Sequence, residues 1–290
     1  MLDRYKFIPK YNDFLRLLNQ KRPLFIRVNT LRGDEEFIVK MLENRGFELE
    51  STPLKYFYKI KKAPFHLQAL PEYILGLIYI QNPSSALPVF ALSPRKKDII
   101  LDMAAAPGGK SSLIQQLTNN QSILYSVEKD PFRAKKMRFI FDRLNVRAVI
   151  INEDALKLPF KEEFKKILLD APCSANPYID KTFISKTIED FINRQTIQKQ
   201  LIKKAYEMLK PNGILVYSTC TLEPLENEFV IEYALSLGFK IVNANLFGEP
   251  ALTSFENHEF PKEMQYCKRI YPHIHYGFEP FFYCVLKKPK

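Results

Sequence analysis

From residue 98 onward short apolar runs alternate with helix-like segments, and this alternation limits the fold more than any other feature of the chain. DIILDMA (98–104), SILYSVE (122–128), AVIINED (148–154), KKILLDAP (165–172) and GILVYSTCT (213–221) have strand length and little polar character. Between them lie KSSLIQQL (110–117) and PFRAKKMRFIFDRL (131–144), the latter with proline in its first turn. A long helix is predicted over 184–210, stopped by Pro211-Asn212-Gly213, and another over 225–238, stopped by Gly238. FKIVNA and PFFYCVLKK close the pattern. Apolar strands separated by helices predict an α/β fold, a parallel sheet covered on both faces. Ligands of such sheets bind beyond the C-terminal strand ends, so the chemistry is sought there.

The first third reads as a small α+β domain over 1–69, and the remainder, 70–290, as a linker plus the sheet domain. A short helix near 10–19 precedes the strand candidate LFIRVNTL (24–31). DEEFIVKMLENRG (34–46) has a capped start and a glycine stop. FELES and YFYKI are further strands. Residues 1–97 carry 17 basic and 9 acidic residues, a balance of +8, while 98–290 carry 26 and 23, a balance of +3. A basic front segment suits a polyanion such as RNA, or is a solvated lysine-rich surface. Lys21, Arg22, Arg27 and Arg32 flank the IRVNTL strand and are the candidate phosphate contacts.

The composition, 46% hydrophobic and 26% charged, is that of a globular chain. The apolar stretch at Tyr73–Ile80 is too short to span a bilayer, and MLDRYKFIPK lacks a signal-peptide core, so no membrane partner and a cytoplasmic location are expected. Four widely spaced cysteines signal neither a disulfide framework nor a zinc ribbon. Cys267, His273, His275 and Cys284 make a metal set on paper only; Cys284 sits in a strand-like run and reads as core, and no metal is expected.

The local signal that stands out is LDMAAAPGGKSS (101–112): a strand end at Asp102, a glycine turn, then a helix start. Gly108 and Gly109 permit close backbone approach, and the helix start offers free N–H groups. A dinucleotide, a nucleoside triphosphate and S-adenosylmethionine all suit this geometry. G-x-G-x-x-G is absent, and Ala104 stands where a P-loop needs its first glycine, so a P-loop ATPase is a near miss. Glu128 ends the second strand and is suited to a ribose diol; Asp154 ends the third and is suited to an adenine amino group. Arg133 lies close to the same pocket. An adenosyl ligand accounts for all three strand ends together. DAPCS (170–174) and STCT (218–221) then put Asp170, Cys173 and Cys220 at two further strand ends, where both thiols would face one crevice.

With these residues the chain resembles the Sun/Fmu class of S-adenosylmethionine-dependent RNA cytosine-5 methyltransferases. The resemblance runs through IRVNTL (26–31), YIQNPSSALPV (79–89), DMAAAPGGKS (102–111), VEKDPFRAKKM (127–137), DAPCS (170–174), LKPNGILVYSTCTLEPLENE (209–228) and RIYPHIH (269–275). It implies a Rossmann-like methyltransferase sheet, S-adenosylmethionine as cofactor and RNA as partner, with tRNA preferred over rRNA, and a monomer. It implies Cys220 as nucleophile, Asp170 as the contact to the target base and Cys173 as the group that assists release. Ala104, Ala105, Ala106, Pro107, Gly108, Gly109 and Lys110 would cradle the methionine and ribose, with Lys110 orienting Asp170 or the cofactor carboxylate. Glu128 would hold the ribose with Arg133 nearby, and Asp154 would read adenine. One departure from the family is Ala175-Asn176-Pro177, where a glycine-containing segment is usual; it bears on how the base is gripped and leaves a catalytically silent RNA-binding protein as an alternative.

The chemistry has a physical reason for each group. Cytosine C5 is too weak a nucleophile to take a methyl group unaided, and a thiolate added at C6 makes it enamine-like. A free thiol has a pKa of about 8.5 and needs local help to ionise. The base must also leave its stack to enter a crevice.

Overall fold

The computed structural model describes residues 2–17, 20, 22–174 and 186–290. The front of the chain places α1 (Tyr11–Leu17) before a four-stranded antiparallel sheet. That sheet consists of β1 (Leu24–Val28), β2 (Glu48–Ser51), β3 (Phe57–Lys62) and β4 (Ile78–Ile80), in the order β2-β3-β1-β4. Helix α2 (Glu35–Asn44) covers one face. Asp34 caps it by accepting from Phe37 N at 3.0 Å, and Gly46 leaves it at φ +87°, a left-handed conformation that favours glycine. Ile38 and Leu42, four residues apart on one helix face, pack with Ile26, Val28 and Ile78 in a small core. The sheet takes β4 from beyond residue 69, because Ile78–Ile80 pairs with β1. Its far side rests on the rest of the molecule.

The chain continues through α3 (Pro71–Ile74) and α4 (Leu87–Leu92) into a nine-stranded sheet. Its parallel part is β5 (Ile99–Asp102), β6 (Ile123–Val127), β7 (Val149–Ile151), β8 (Phe164–Asp170) and β9 (Leu209–Thr219), in the order β7-β6-β5-β8-β9. Helices α5 (Gly109–Thr118), α6 (Pro131–Leu144), α7 (Ile188–Met208) and α8 (Glu228–Ser236) accompany it. Neighbouring side chains point to opposite faces: Leu168 joins the core under α4 and α5, and Leu169 the core under α7 and α8. Both are 0% exposed, and burying a leucine so completely stabilises by about 1.5–3 kcal/mol.

The last strands differ from a wholly parallel expectation. β10 (Lys240–Ile241) and β15 (Phe281–Lys287) pair antiparallel, as do β15 and β9, and β14 (Lys268–Ile270) and β15; β11 (Glu249–Pro250) is the edge. A separate hairpin joins β12 (Ser254–Phe255) to β13 (His258–Glu259). No helix intervenes between β14 and β15, and a parallel pairing needs a long crossover. A second correction concerns sulfur. Cys267 and Cys284, both 0% exposed, are paired as a disulfide in the core, although their spacing signals none. Cys284 thus does belong to the core. Of the other two members of the paper metal set, His273 contacts the Pro9 carbonyl and His275 accepts from Tyr271 N. Among the described residues no cluster of three or more His, Cys, Asp or Glu is placed to hold a metal, and no helix is long and apolar enough to cross a membrane.

Candidate active site

The glycine loop is built for close packing. Gly108 sits at φ +106° as the N-cap of α5, and a Cβ there would lie 2.7 Å from Phe141 of α6. A Cβ on Gly109 would come within 3.3 Å of Gln81 and Tyr79. Only a loop without these side chains lets α5 start this near β4. At the end of β5, Asp102 is 1% exposed and accepts from Ser111 Oγ at 2.7 Å, while its Oδ1 has no partner. Burial pushes its pKa up to about 6, against the pull of Ser111 and Lys110.

Two clefts meet at Ala104. The first runs past Glu128, Arg133, Asp154 and Leu156 toward α7. Glu128 is 4% exposed; it accepts from Asp130 N at 2.9 Å and faces Arg133 Nη1 at 3.3 Å. Arg133 also donates to Ala106 O at 2.9 Å, which ties the start of α6 to the glycine loop. Asp154 lies three residues past the end of β7 and accepts from Leu156 N at 3.0 Å, an Asx turn that fixes its carboxylate beside the cleft. The second cleft is lined by Gln81, Asp102, Gly109, Lys110 and Asp170, among others.

Lys110 and Asp170 form its polar end. Lys110 Nζ donates to Asp170 Oδ2 at 2.5 Å, and Ser218 Oγ donates to Oδ1 at 2.8 Å. Burial disfavours the Lys110 charge, but Asp170, Asp102 and Cys220 outweigh it and raise its pKa. β8 and β9 are neighbours in the sheet, so their ends bring Cys173 and Cys220 together, Sγ to Sγ at 3.2 Å. Neither is in a disulfide, and both are half-buried. A thiol pair thus stands near the Lys110–Asp170 ion pair that lines the second cleft, and the first cleft adjoins that one at Ala104.

This arrangement has relatives. The profile of the 16S rRNA methyltransferase RsmB/F family matches residues 89–287. The chain belongs to this family. It is 34% identical over 302 residues to the tRNA (cytosine(49)-C(5))-methyltransferase of Pyrococcus abyssi, covering 100% of this chain and 96% of that one. It is 36% identical to the 25S rRNA (cytosine-C(5))-methyltransferase nop2 of Schizosaccharomyces pombe, covering 95% of this chain and 48% of that one. The chain therefore spans about half the length of that rRNA enzyme. A crystal structure of a methyltransferase homolog protein from Pyrococcus horikoshii superposes with a TM-score of 0.89 at 37% identity, covering 99% of this chain and 93% of that one. Membership in the RsmB/F family sets aside the P-loop reading of the glycine loop.

In this RsmB/F-family chain, further residues hold the thiols in place. Glu226 Oε2 accepts from Ser174 N at 2.9 Å and from Gln198 Nε2 at 2.9 Å, and Ser174 Oγ donates to Thr221 Oγ1 at 3.1 Å. The loop after Cys173 is thereby tied to the loop after Cys220. Arg269 and Glu228, both 0% exposed, pair at 2.5 Å, and Arg269 donates to Leu222 O at 2.9 Å. Asp102, Gln81 and Glu226 escaped the reading of the sequence; the available signal was a lone polar residue beside an otherwise apolar run.

The four basic candidates of the first third fare differently. Arg27 is 0% exposed and donates to Gly109 O at 3.0 Å and Ser112 Oγ at 2.7 Å. It is a strut between β1 and the first turn of α5, not a phosphate contact, because α5 covers the face on which it lies. Arg32 is exposed but donates to Arg143 O and Asp142 O at the end of α6. Arg22 is exposed beside Tyr276 and Lys59 in a separate cleft. Lys21 and the Ala175-Asn176-Pro177 departure lie outside the described residues.

Proposed function

We propose that this protein transfers a methyl group from S-adenosylmethionine to C5 of cytosine in RNA, with tRNA as the substrate class. The observation that carries the reading is the Cys173–Cys220 pair at 3.2 Å beside the Lys110–Asp170 ion pair. A silent binder has no use for two thiols held so close beside that ion pair. The match to the Pyrococcus abyssi tRNA enzyme over nearly the whole of both chains supports tRNA; rRNA is the second reading.

The clefts suit the cofactor. Glu128 offers a buried carboxylate for a ribose diol, Asp154 an acceptor for an adenine amino group, and the glycine loop a cradle that a Cβ would fill. The unpartnered Asp102 Oδ1 and Gln81 Oε1 are acceptors for an ammonium. S-adenosylmethionine, when bound, supplies an electrophilic methyl on a sulfonium. The protein's own residues do the rest. Asp170, steadied by Lys110 and Ser218, binds the polar edge of the flipped base. Cys220, as thiolate, adds to C6 and pushes electron density onto C5. Once C5 carries the methyl group its proton leaves, to water or to the Cys173 thiolate, and the Cys220–C6 bond breaks to restore the double bond.

The test incubates the protein with methyl-labelled S-adenosylmethionine and unmodified tRNA or rRNA, followed by digestion and analysis for 5-methylcytidine. Label in tRNA is expected. Label in rRNA alone moves the substrate, and label in neither overturns the catalytic reading. In the Cys173→Ala variant a slow-migrating covalent protein–RNA species is expected on a denaturing gel; its absence removes Cys173 from the release step.

A further inference from the structure

The crevice that holds Asp170 and Lys110 does not end there. Its wall includes Tyr79, Ile80 and Pro107, and the same three residues line a second groove on the outer surface. That groove is roofed by α6 and floored by α3 and β4. Its lining combines the rings of Tyr73, Tyr79 and Phe139 with the cations of Lys136 and Arg143, and no carboxylate lines it. Phe139 is 67% exposed, far beyond what a core residue keeps. Arg143 stacks on Tyr73 at 4.3 Å and reaches Tyr79 at 5.8 Å, so its planar cation is fixed at the groove wall.

Resting on the proposed function, we infer that this groove carries the single strand of RNA that flanks the target cytosine. Two observations select this occupant. The groove adjoins the crevice of Asp170, sharing Tyr79, Ile80 and Pro107 with it, so the neighbours of a base flipped against Asp170 lie within reach of the groove. The lining alternates aromatic faces with positive charge and offers no negative charge, which matches stacked bases on a phosphodiester chain. Phe139 is the free stacking face, Lys136 the phosphate contact, and the Arg143–Tyr73–Tyr79 stack the rigid wall.

The experiment uses Phe139→Ala, Lys136→Ala, Lys136→Glu and the combination of Phe139→Ala with Lys136→Glu, with Phe37→Ala, an exposed phenylalanine on α2, as control. Unmodified tRNA transcript is titrated at several salt concentrations, S-adenosylmethionine binding is measured separately, and methylation is followed as kcat and KM. The combined variant is expected to weaken tRNA binding and raise its KM by about 5- to 100-fold. Lys136→Ala is expected to lower the salt dependence of binding by about one ion. S-adenosylmethionine affinity and the melting temperature stay at the wild-type values, and Phe37→Ala behaves as wild type. Wild-type tRNA binding and salt dependence in the combined variant overturn the groove while leaving the proposed function standing; Phe139 is then a contact for a protein. A wild-type protein that neither binds nor methylates any RNA overturns both.

Discussion

Two charged sites, one at the tip of the large sheet and one in the small sheet, are treated in opposite ways. Lys110 at the start of α5 and Asp170 at the end of β8 are paired with each other yet keep 14% and 27% of their side chains exposed. In the small sheet Arg27 keeps none, has no carboxylate partner among the described residues, and uses its guanidinium on a carbonyl and a hydroxyl of α5. Burial pushes its pKa down to about 10, against a smaller opposing pull from Tyr79. A charge placed for chemistry is satisfied on one side and left reachable on the other. A charge placed for architecture is closed in. The basic surplus of the first third therefore overstates what that region offers a polyanion, since net charge counts a buried strut as it counts a surface lysine.

Substitutions at the two places should separate these roles. Cys220→Ala is the larger effect: methylation is expected to fall at least about 10³-fold, as for other removed nucleophiles. Folding and S-adenosylmethionine binding stay intact, and residual turnover near wild type moves the nucleophile elsewhere. Arg27→Met inverts the pattern. It deletes two charge-assisted hydrogen bonds, to the Gly109 carbonyl and to the Ser112 hydroxyl, at a cost of about 3 kcal/mol in a denaturant titration. The salt dependence of RNA binding should not change, because no phosphate contact is lost. A reduced salt slope with unchanged stability restores Arg27 to the RNA interface.

The same contrast explains what could be read from the chain. Strand ends were legible because an apolar run that stops at a polar residue marks both the strand and its tip. Asp170, Cys173 and Cys220 follow from that rule, and the adjacency of β8 and β9 brings the thiols together. Arg27 was not legible, because in LFIRV only the packing of α5 on β1 decides that a basic side chain is enclosed. The Cys267–Cys284 pair was equally hidden: it depends on β14 returning beside β15, which no spacing of two cysteines reveals. Asp102 ends an apolar run and Glu226 is a lone acid near one, but the partners that bury them, Ser111 for one and Ser174 and Gln198 for the other, are set by the fold.

Asp102 gives the smallest and most diagnostic effect, because it is a strand-end charge that resembles Arg27 in its burial. Both leave a buried polar atom unpartnered, Oδ1 in one and Nε in the other, but Asp102 lines the crevice. Its pKa of about 6 in the folded protein lies above the ordinary 3.8. Between those values the folded chain holds a proton that the unfolded chain has lost. The stability this proton contributes is full below the unfolded pKa and is lost as pH rises through the folded one. Wild type measured against Asp102→Asn should lose about 2 kcal/mol between pH 4 and pH 8, with the change centred between the two pKa values. Unfolding free energies of both proteins across that range provide the measurement. Parallel curves mean that Asp102 titrates as an ordinary carboxyl. A wild-type curve that flattens when S-adenosylmethionine is present means that a bound cation has taken over the partnerless oxygen. The crevice then carries an unpaired charge for a ligand, and the strut at Arg27 carries one for the fold alone.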